Sequence, residues 1–207
     1  YDFPVVYFPR FFHPDPTVKR QSGFLNPELG SSNNLGSSLY MPYFLVISDD
    51  KDLTIKPRLF DNNKFLLQNE YRQLTKNSLT IADFSLLKGH TSSSQDQGDT
   101  RSHIFTDPKM NLSLDGSKSS ILKINYQKTS NDTYLKLFDL QSPLLLEDNS
   151  VLESIIKLDL EHENYDLTAS VEMYENLNAS NNNRYEYALP KYDFSKNFSL
   201  KNIPGGF

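Results

Sequence analysis

Four histidines, many serines and a knot of aspartates are the residues from which chemistry could be built, and their spacing builds none. His13, His90, His103 and His162 have no partner at i, i+2 or i, i+4, so a metal site would have to be assembled from distant strands. No serine sits in a Gly-x-Ser-x-Gly elbow, which leaves a hydrolase triad without a sequence signal. Asp49-Asp50-Lys51-Asp52 has carboxylates enough for a calcium loop. It lacks the spaced run and distal carboxylate such a loop needs, because Leu53-Thr54-Ile55 leads straight into a strand. Glu161 and Glu163 read as sharing a strand face, with nothing to desolvate either. Asn131-Asp132-Thr133 and Asn197-Phe198-Ser199 are glycosylation triplets of the kind an Asn-rich chain contains by composition. The expectation is a protein that is not an enzyme and carries no metal and no cofactor.

The rest of the chain sets the frame in which such groups would be held. It has 207 residues, a formal charge of −5 at pH 7, 37% hydrophobic and 23% charged residues, and a mean hydropathy of −0.56. That is polar for a single deep core, yet 12 Tyr and 14 Phe must pack somewhere, which argues against disorder. Basic residues are dispersed rather than striped, so no nucleic-acid partner is expected. No run approaches the ~18 apolar residues of a membrane helix. Barrel strands need only ~10 residues of alternating polarity and stay open as an alternative. Cysteine is absent, which removes disulfides and thiol chemistry together. The chain begins at Tyr1 and reads as an excerpt of a longer protein.

Alternation with period two dominates, the mark of strands with one buried face. Leu53, Ile55 and Leu59 alternate with Thr54, Lys56 and Arg58, and Phe65 and Leu67 with Leu66, Gln68 and Glu70. Leu122, Ile124 and Tyr126 oppose Ile121, Lys123 and Asn125. Ile156, Leu158 and Leu160 oppose Lys157, Asp159 and Glu161, and Leu167 to Met173 repeat the pattern. Turn formers separate these runs at Gly30 to Asn34, Asp61-Asn62-Asn63, Asp115-Gly116-Ser117 and Asn181 to Asn183. The Ser/Gln/Asp/Gly-rich stretch near 89–100 reads as a long mobile loop. Helical signals are weak, with a turn or two expected within 144–156. The predicted fold is all-β, with antiparallel up-and-down hairpins in sequence order.

Proline supplies the most informative punctuation. Pro4, Pro9, Pro14 and Pro16 break up an apolar, aromatic segment around Phe3 to Phe12, and Pro27 and Pro42 fall fifteen residues apart among strand formers. Proline donates no backbone hydrogen bond, so a sheet confines it to edges, ends or bulges. Prolines in two successive strands mark a weak edge; ordinary strand termini are the alternative.

These positions carry a resemblance. In order along the first 75 residues come Pro4-Val5-Val6-Tyr7-Phe8-Pro9, then Arg20-x-Ser22-Gly23-Phe24-Leu25-x-Pro27. Pro42-Tyr43-Phe44, Asp52-Leu53-Thr54-Ile55-Lys56-Pro57 and Asn69-Glu70-Tyr71-Arg72 follow. Weaker echoes lie at Ser130-x-x-x-Tyr134, Phe138-Asp139 and Arg184 to Leu189-Pro190. The series resembles the lipopolysaccharide-assembly outer-membrane protein family LptD, also called OstA. One departure is the turn Asp61-Asn62-Asn63-Lys64, where members often carry Arg-Gly.

The resemblance implies a periplasmic jelly-roll joined to a large transmembrane β-barrel. That barrel is plugged by the lipoprotein LptE and supplied by the periplasmic bridge protein LptA through the jelly-roll. On that likeness residues 1–21 would be the end of the jelly-roll and its connection. Residues 22–207 would be the N-terminal portion of the barrel, an open curved sheet as a fragment, with its N-terminal end facing the periplasm of a Gram-negative cell. Phe3, Val5, Tyr7, Phe8, Phe11 and Phe12 would line the lipid's path. Pro27 and Pro42 would flank a lateral seam through which lipopolysaccharide reaches the outer leaflet. Arg20, Ser22, Gly23, Phe24, Leu25, Asp52, Pro57, Glu70, Tyr71 and Arg72 are the remaining motif positions. A different class stays open beside it: a secreted or surface β-sandwich for glycan binding or adhesion, which packs two inner faces and turns polar residues to water.

Overall fold

A computed structural model describes residues 20–32, 35–61, 63–92, 95–145 and 150–196. The six apolar junction residues from Phe3 to Phe12 lie outside the described residues. The strands are β1 (Gly23–Phe24), β2 (Glu28–Ser32), β3 (Gly36–Tyr40), β4 (Tyr43–Ser48), β5 (Lys51–Phe60), β6 (Phe65–Leu74) and β7 (Ser78–Ser92). After them come β8 (Gln95–Thr106), β9 (Lys109–Asn111), β10 (Ser117–Thr129), β11 (Val151–His162), β12 (Tyr165–Asn176) and β13 (Tyr185–Lys196). One short helix, α1 (Tyr134–Leu137), lies between β10 and β11. The strands form one 13-stranded antiparallel sheet whose border is β1 with β2; β1 pairs β4, β2 pairs β3, β3 and β4 both pair β5, and the order then runs β5-β6-β7-β8-β10-β11-β12-β13, with β9 between β7 and β10. Such a single meander does not supply the two packed sheets of a sandwich.

Register assigns every strand residue to one of two faces. Lys56, Gln68, Ser85, His103 and Thr129 stand in one row across β5, β6, β7, β8 and β10. The row beside it holds Thr54, Glu70, Asp83, Phe105 and Gln127. This inner face is polar and buried: Asp83 is 0% exposed, His103 3% and Gln127 3%. The outer face is apolar and open, with Phe84 42%, Ile104 49% and Ile156 54% exposed. A water-soluble sheet has the reverse arrangement.

Part of the inner face is covered by the connection from β10 to β11. Asn131 starts it, its side-chain carbonyl accepting from the Thr133 amide at 3.1 Å and the Thr133 hydroxyl at 2.8 Å, an Asx turn that sets up α1. Tyr134, Leu135, Phe138 and Leu140 then pack on Phe60, Leu66, Leu87 and Phe105, with Phe138 edge-on to Phe60 at 5.9 Å.

Three expectations from the sequence are corrected. The stretch read as a loop near 89–100 is largely strand: β7 reaches Ser92 and β8 starts at Gln95, with His90 opposite Asp99. A backbone ladder already nucleated by Asp83 to Leu87 extends without apolar alternation, because its bonds do not depend on side chains. The weak helical signal at 144–156 is misplaced, since Val151 to His162 is strand and the helical turn sits earlier, at Tyr134–Leu137. Glu161 is in β11, whereas Glu163 lies in the turn before β12, so the two share no strand face.

Candidate functional site

The border strand, made of β1 and β2, and its neighbour, made of β3 and β4, are each broken at a proline. Leu25 donates its amide to the Pro42 carbonyl at 2.9 Å, and Glu28 pairs with Tyr40. Between those two pairings Asn26 and Pro27 face the single residue Met41, which is the count of a β-bulge. Pro42 lies in the matching gap between β3 and β4, while Met41 donates to the Pro57 carbonyl at 3.1 Å. Pro27, Pro42 and Pro57, at intervals of fifteen residues, are thus brought side by side across three adjoining strands. Pro42 and Pro57 cannot return the bonds they accept. Register is kept across the gap, since Tyr40 pairs with Arg58 above it and Tyr43 with Ile55 below. Pro27 is exposed at the border of the sheet and Pro42 is buried one strand in. Neither proline is inside a strand proper, as the sequence had suggested; each occupies a break in one.

Below this line the charged motif residues gather on the inner face. The Asp52 carboxylate is 3% exposed; it pairs with the Arg20 guanidinium and accepts from Arg72 Nε at 2.8 Å. Both arginines lie near the Phe44 ring, at 5.6 and 6.0 Å from its centroid. Glu70 bonds Lys56 Nζ at 2.7 Å, and the Ser22 hydroxyl accepts from the Val46 amide at 2.8 Å. On the outer face Phe24, 77% exposed, meets Tyr43 edge-on at 5.0 Å. Tyr71 turns to that face too and donates to Gln73 Oε1 at 2.9 Å. Gly23 and Phe24 form β1, and Leu25 carries the bond to Pro42. Above the line a polar cavity of about 230 Å³ lies between sheet and cap, lined by Tyr40, Lys56, Arg58, Gln68 and Gln141 among others.

One cluster escaped sequence reasoning. Ser85 Oγ lies 2.6 Å from His103 Nδ1, and His103 Nε2 lies 3.2 Å from Asp83 Oδ1, the residues of a hydrolase triad but with the two imidazole nitrogens exchanged. The Ser85 hydroxyl is also 2.7 Å from the Tyr134 hydroxyl, and Gln68 Nε2 bonds Asp83 at 3.0 and 3.1 Å. Ser85 is 4% exposed, so no substrate carbonyl reaches its oxygen. The cluster seats α1 on the sheet. Its only sequence signal is period two: Asp83, Ser85 and His103 are inward positions on the two arms of one hairpin. Among the described residues no three His, Asp or Glu side chains group to hold a metal ion.

The far end of the cap is held by charge. Arg184 bonds Asp132 at 2.6 and 2.9 Å and Glu175 at 2.6 and 2.9 Å, and Lys128 Nζ reaches Glu175 at 2.8 Å. The Arg184 bond holds the Asp132 carboxyl below its ordinary range, and Arg184 itself is shifted up by Asp132 and Glu175. In the turn between β4 and β5 the Ser48 hydroxyl lowers Asp50 in the same way.

No family model matches the chain. Among curated proteins it is 39% identical to the LPS-assembly protein LptD of Pseudomonas entomophila (strain L48) over 77 residues, which is 37% of this chain and 8% of that protein. It is 32% identical to the protein of that name from Pseudoalteromonas atlantica over 96 residues, 46% of this chain and 12% of that protein. The likeness to the Pseudomonas putida (strain GB-1) protein is 28% over 208 aligned positions, reaching 99% of this chain and 21% of that one. The chain therefore spans about a tenth to a fifth of the length of these relatives.

Proposed function

From a chain that belongs to the LPS-assembly protein LptD family, we propose a segment of an outer-membrane β-barrel that delivers lipopolysaccharide to the outer leaflet through a lateral seam beside Pro27 and Pro42. The observation that carries the reading is the inverted sheet, with apolar side chains open on one face and charged and amide groups buried on the other. Lipid accepts the first face, and a polar lumen accepts the second. In hydrocarbon every backbone group must be bonded within the protein. A strand that lacks ladder bonds at Pro42 and Pro57 is therefore held less tightly, by ~1 kcal/mol for each missing bond. The Pro42 gap lowers the cost of parting the border strand from its neighbour, and the Pro57 gap that of parting the second strand from β5, when a bulky acylated sugar passes sideways. The role is transport and assembly rather than catalysis.

The finer parts of the proposal follow from family membership. The N-terminal end faces the periplasm, LptA supplies lipopolysaccharide through a preceding jelly-roll, LptE plugs the lumen, and Phe3 to Phe12 line the lipid's route. The test replaces the full-length protein by its Pro27→Val/Pro42→Val form as the sole copy in a Gram-negative cell. Lipopolysaccharide at the surface should fall while the protein stays in the detergent-extracted outer-membrane fraction. Unaltered surface lipopolysaccharide sinks the seam, and recovery of the parent protein in the soluble fraction sinks the barrel.

A further inference from the structure

The border strand is held by two different means on either side of the proline break. Below it, β1 is tied by side chains: Arg20 reaches over β4 to Asp52 on β5, Arg72 on β6 closes the same carboxylate, and Ser22 bonds the Val46 amide. Above it, Glu28, Leu29, Gly30 and Ser31 of β2 are all exposed, Leu29 to 86%, and what joins β2 to β3 is backbone pairing from Glu28–Tyr40 to Ser32–Gly36. The junction between the halves is the Asn26-Pro27 bulge opposite Met41, the place where the strand already bends.

We propose that this strand does not peel as a unit: β2 swings about the Asn26-Pro27 bulge, while the Arg20–Asp52–Arg72 staple keeps β1 fixed to the sheet. The inference rests on reading this border as the lipopolysaccharide seam, and it adds which half of the strand moves and which residues hold the other half. Arg20, Asp52 and Arg72 are positioning residues. The staple also limits the opening to one end of the seam, so an acylated sugar meets a wedge rather than a slot along the full strand.

The ladder supplies its own reporters. Antiparallel amides point alternately to the two neighbours, and Pro42 and Val46 both face β1. Ser38 and Tyr40 therefore donate toward β2, and Phe44 and Val46 toward the β1 side. The test is hydrogen exchange resolved to single amides, on the full-length protein with its natural partners in detergent micelles, before and after addition of purified lipopolysaccharide. Ser38 and Tyr40 should exchange at least about tenfold faster than Phe44 and Val46. Arg20→Ala should bring Phe44 and Val46 toward the fast rate and leave Ser38 and Tyr40 where they were, and Arg20→Lys should restore much of the protection. Equal rates at all four amides in the parent protein, or slow exchange at Phe44 and Val46 in Arg20→Ala, overturns the half-strand hinge. A contrast that holds but takes no notice of lipopolysaccharide keeps the hinge and removes the lipopolysaccharide reading instead.

Discussion

Met41 gives its amide hydrogen to the Pro57 carbonyl at 3.1 Å, and Pro57 has no hydrogen to give back. The pair is a half-made rung, where an unbroken antiparallel ladder would exchange two bonds. Fifteen residues upstream of Pro57 the same is true of Pro42, which accepts from Leu25 at 2.9 Å and returns nothing. Substituting Pro57→Val supplies the absent donor in the β geometry valine prefers. The folded barrel should gain ~1 kcal/mol, read as a higher denaturant midpoint in detergent, and surface lipopolysaccharide should appear more slowly. A lower midpoint would show that the ring of Pro57 contributes more by packing than it forgoes in bonding.

Asp52 is a buried carboxylate between two guanidinium groups. Asp52→Ala leaves Arg20 and Arg72 together beside Phe44 without the carboxylate that joins them, Glu70 lying 3.8 Å from Arg72. Arg20 and Arg72 side chains are about half exposed, so water screens much of the loss. The expected cost is on the order of 1–2 kcal/mol, measured as a shift in thermal unfolding of the full-length protein. Asp52→Asn keeps the shape and one acceptor oxygen but turns an NH2 donor toward the other guanidinium, so it should recover only part of that loss.

Charge on the two faces separates a membrane sheet from one that faces water. Ile156→Arg places a cation on the open apolar face and should destabilise the inserted barrel by ~2–4 kcal/mol if the site is near mid-membrane. Ser170→Arg, on the opposite face beside Lys157, should cost far less. Folded yield in lipid vesicles measures both. Equal tolerance of the two would favour a sheet whose Ile156 face meets water rather than lipid.

The Asp132–Arg184 bond gives the cap a dependence on acid. Arg184 holds the Asp132 carboxyl below its ordinary value. A depressed carboxylate contributes stability that is fully present above the unfolded value of ~3.9 and is lost as pH falls through the lower, folded value. Protease cutting within 131–145 should therefore be constant from neutral pH down to about 4 and rise only below it. Asp132→Asn should raise cutting at neutral pH and flatten the profile. A rise in the parent between pH 5 and 7 would assign the response to another group.

Ser85→Ala bears on the buried Ser85–His103–Asp83 connectivity. No ester hydrolysis should be present in the parent to lose, and the hydroxyl's removal should loosen the cap by about 1 kcal/mol, as Tyr134→Phe should by deleting the other end of the same bond. Greater protease access within 131–145 in both variants is the expected result.

Period-two alternation made the strands legible before any coordinates, because in a meander each strand pairs with its chain neighbour and register follows from short turns such as Asp115-Gly116. The same alternation marked Leu53, Ile55 and Leu59 as one face and Thr54, Lys56 and Arg58 as the other. The fifteen-residue interval between Pro27 and Pro42 was visible too, since it is a property of the string. Which face is buried was not visible. Alternation is symmetric, and only the cap packing on Phe60, Leu66, Leu87 and Phe105 decides that the polar side is the inside. Tertiary structure alone also brought Pro57 level with the other two prolines, carried Arg20 over β4 to Asp52 thirty-two residues on, and set Ser85, His103 and Asp83 beneath Tyr134. Backbone pairing with no apolar pattern drew the 89–100 stretch into strands. Local sequence fixes local conformation through sterics and turn chemistry, whereas these contacts join segments whose meeting is written in register, which no single segment contains.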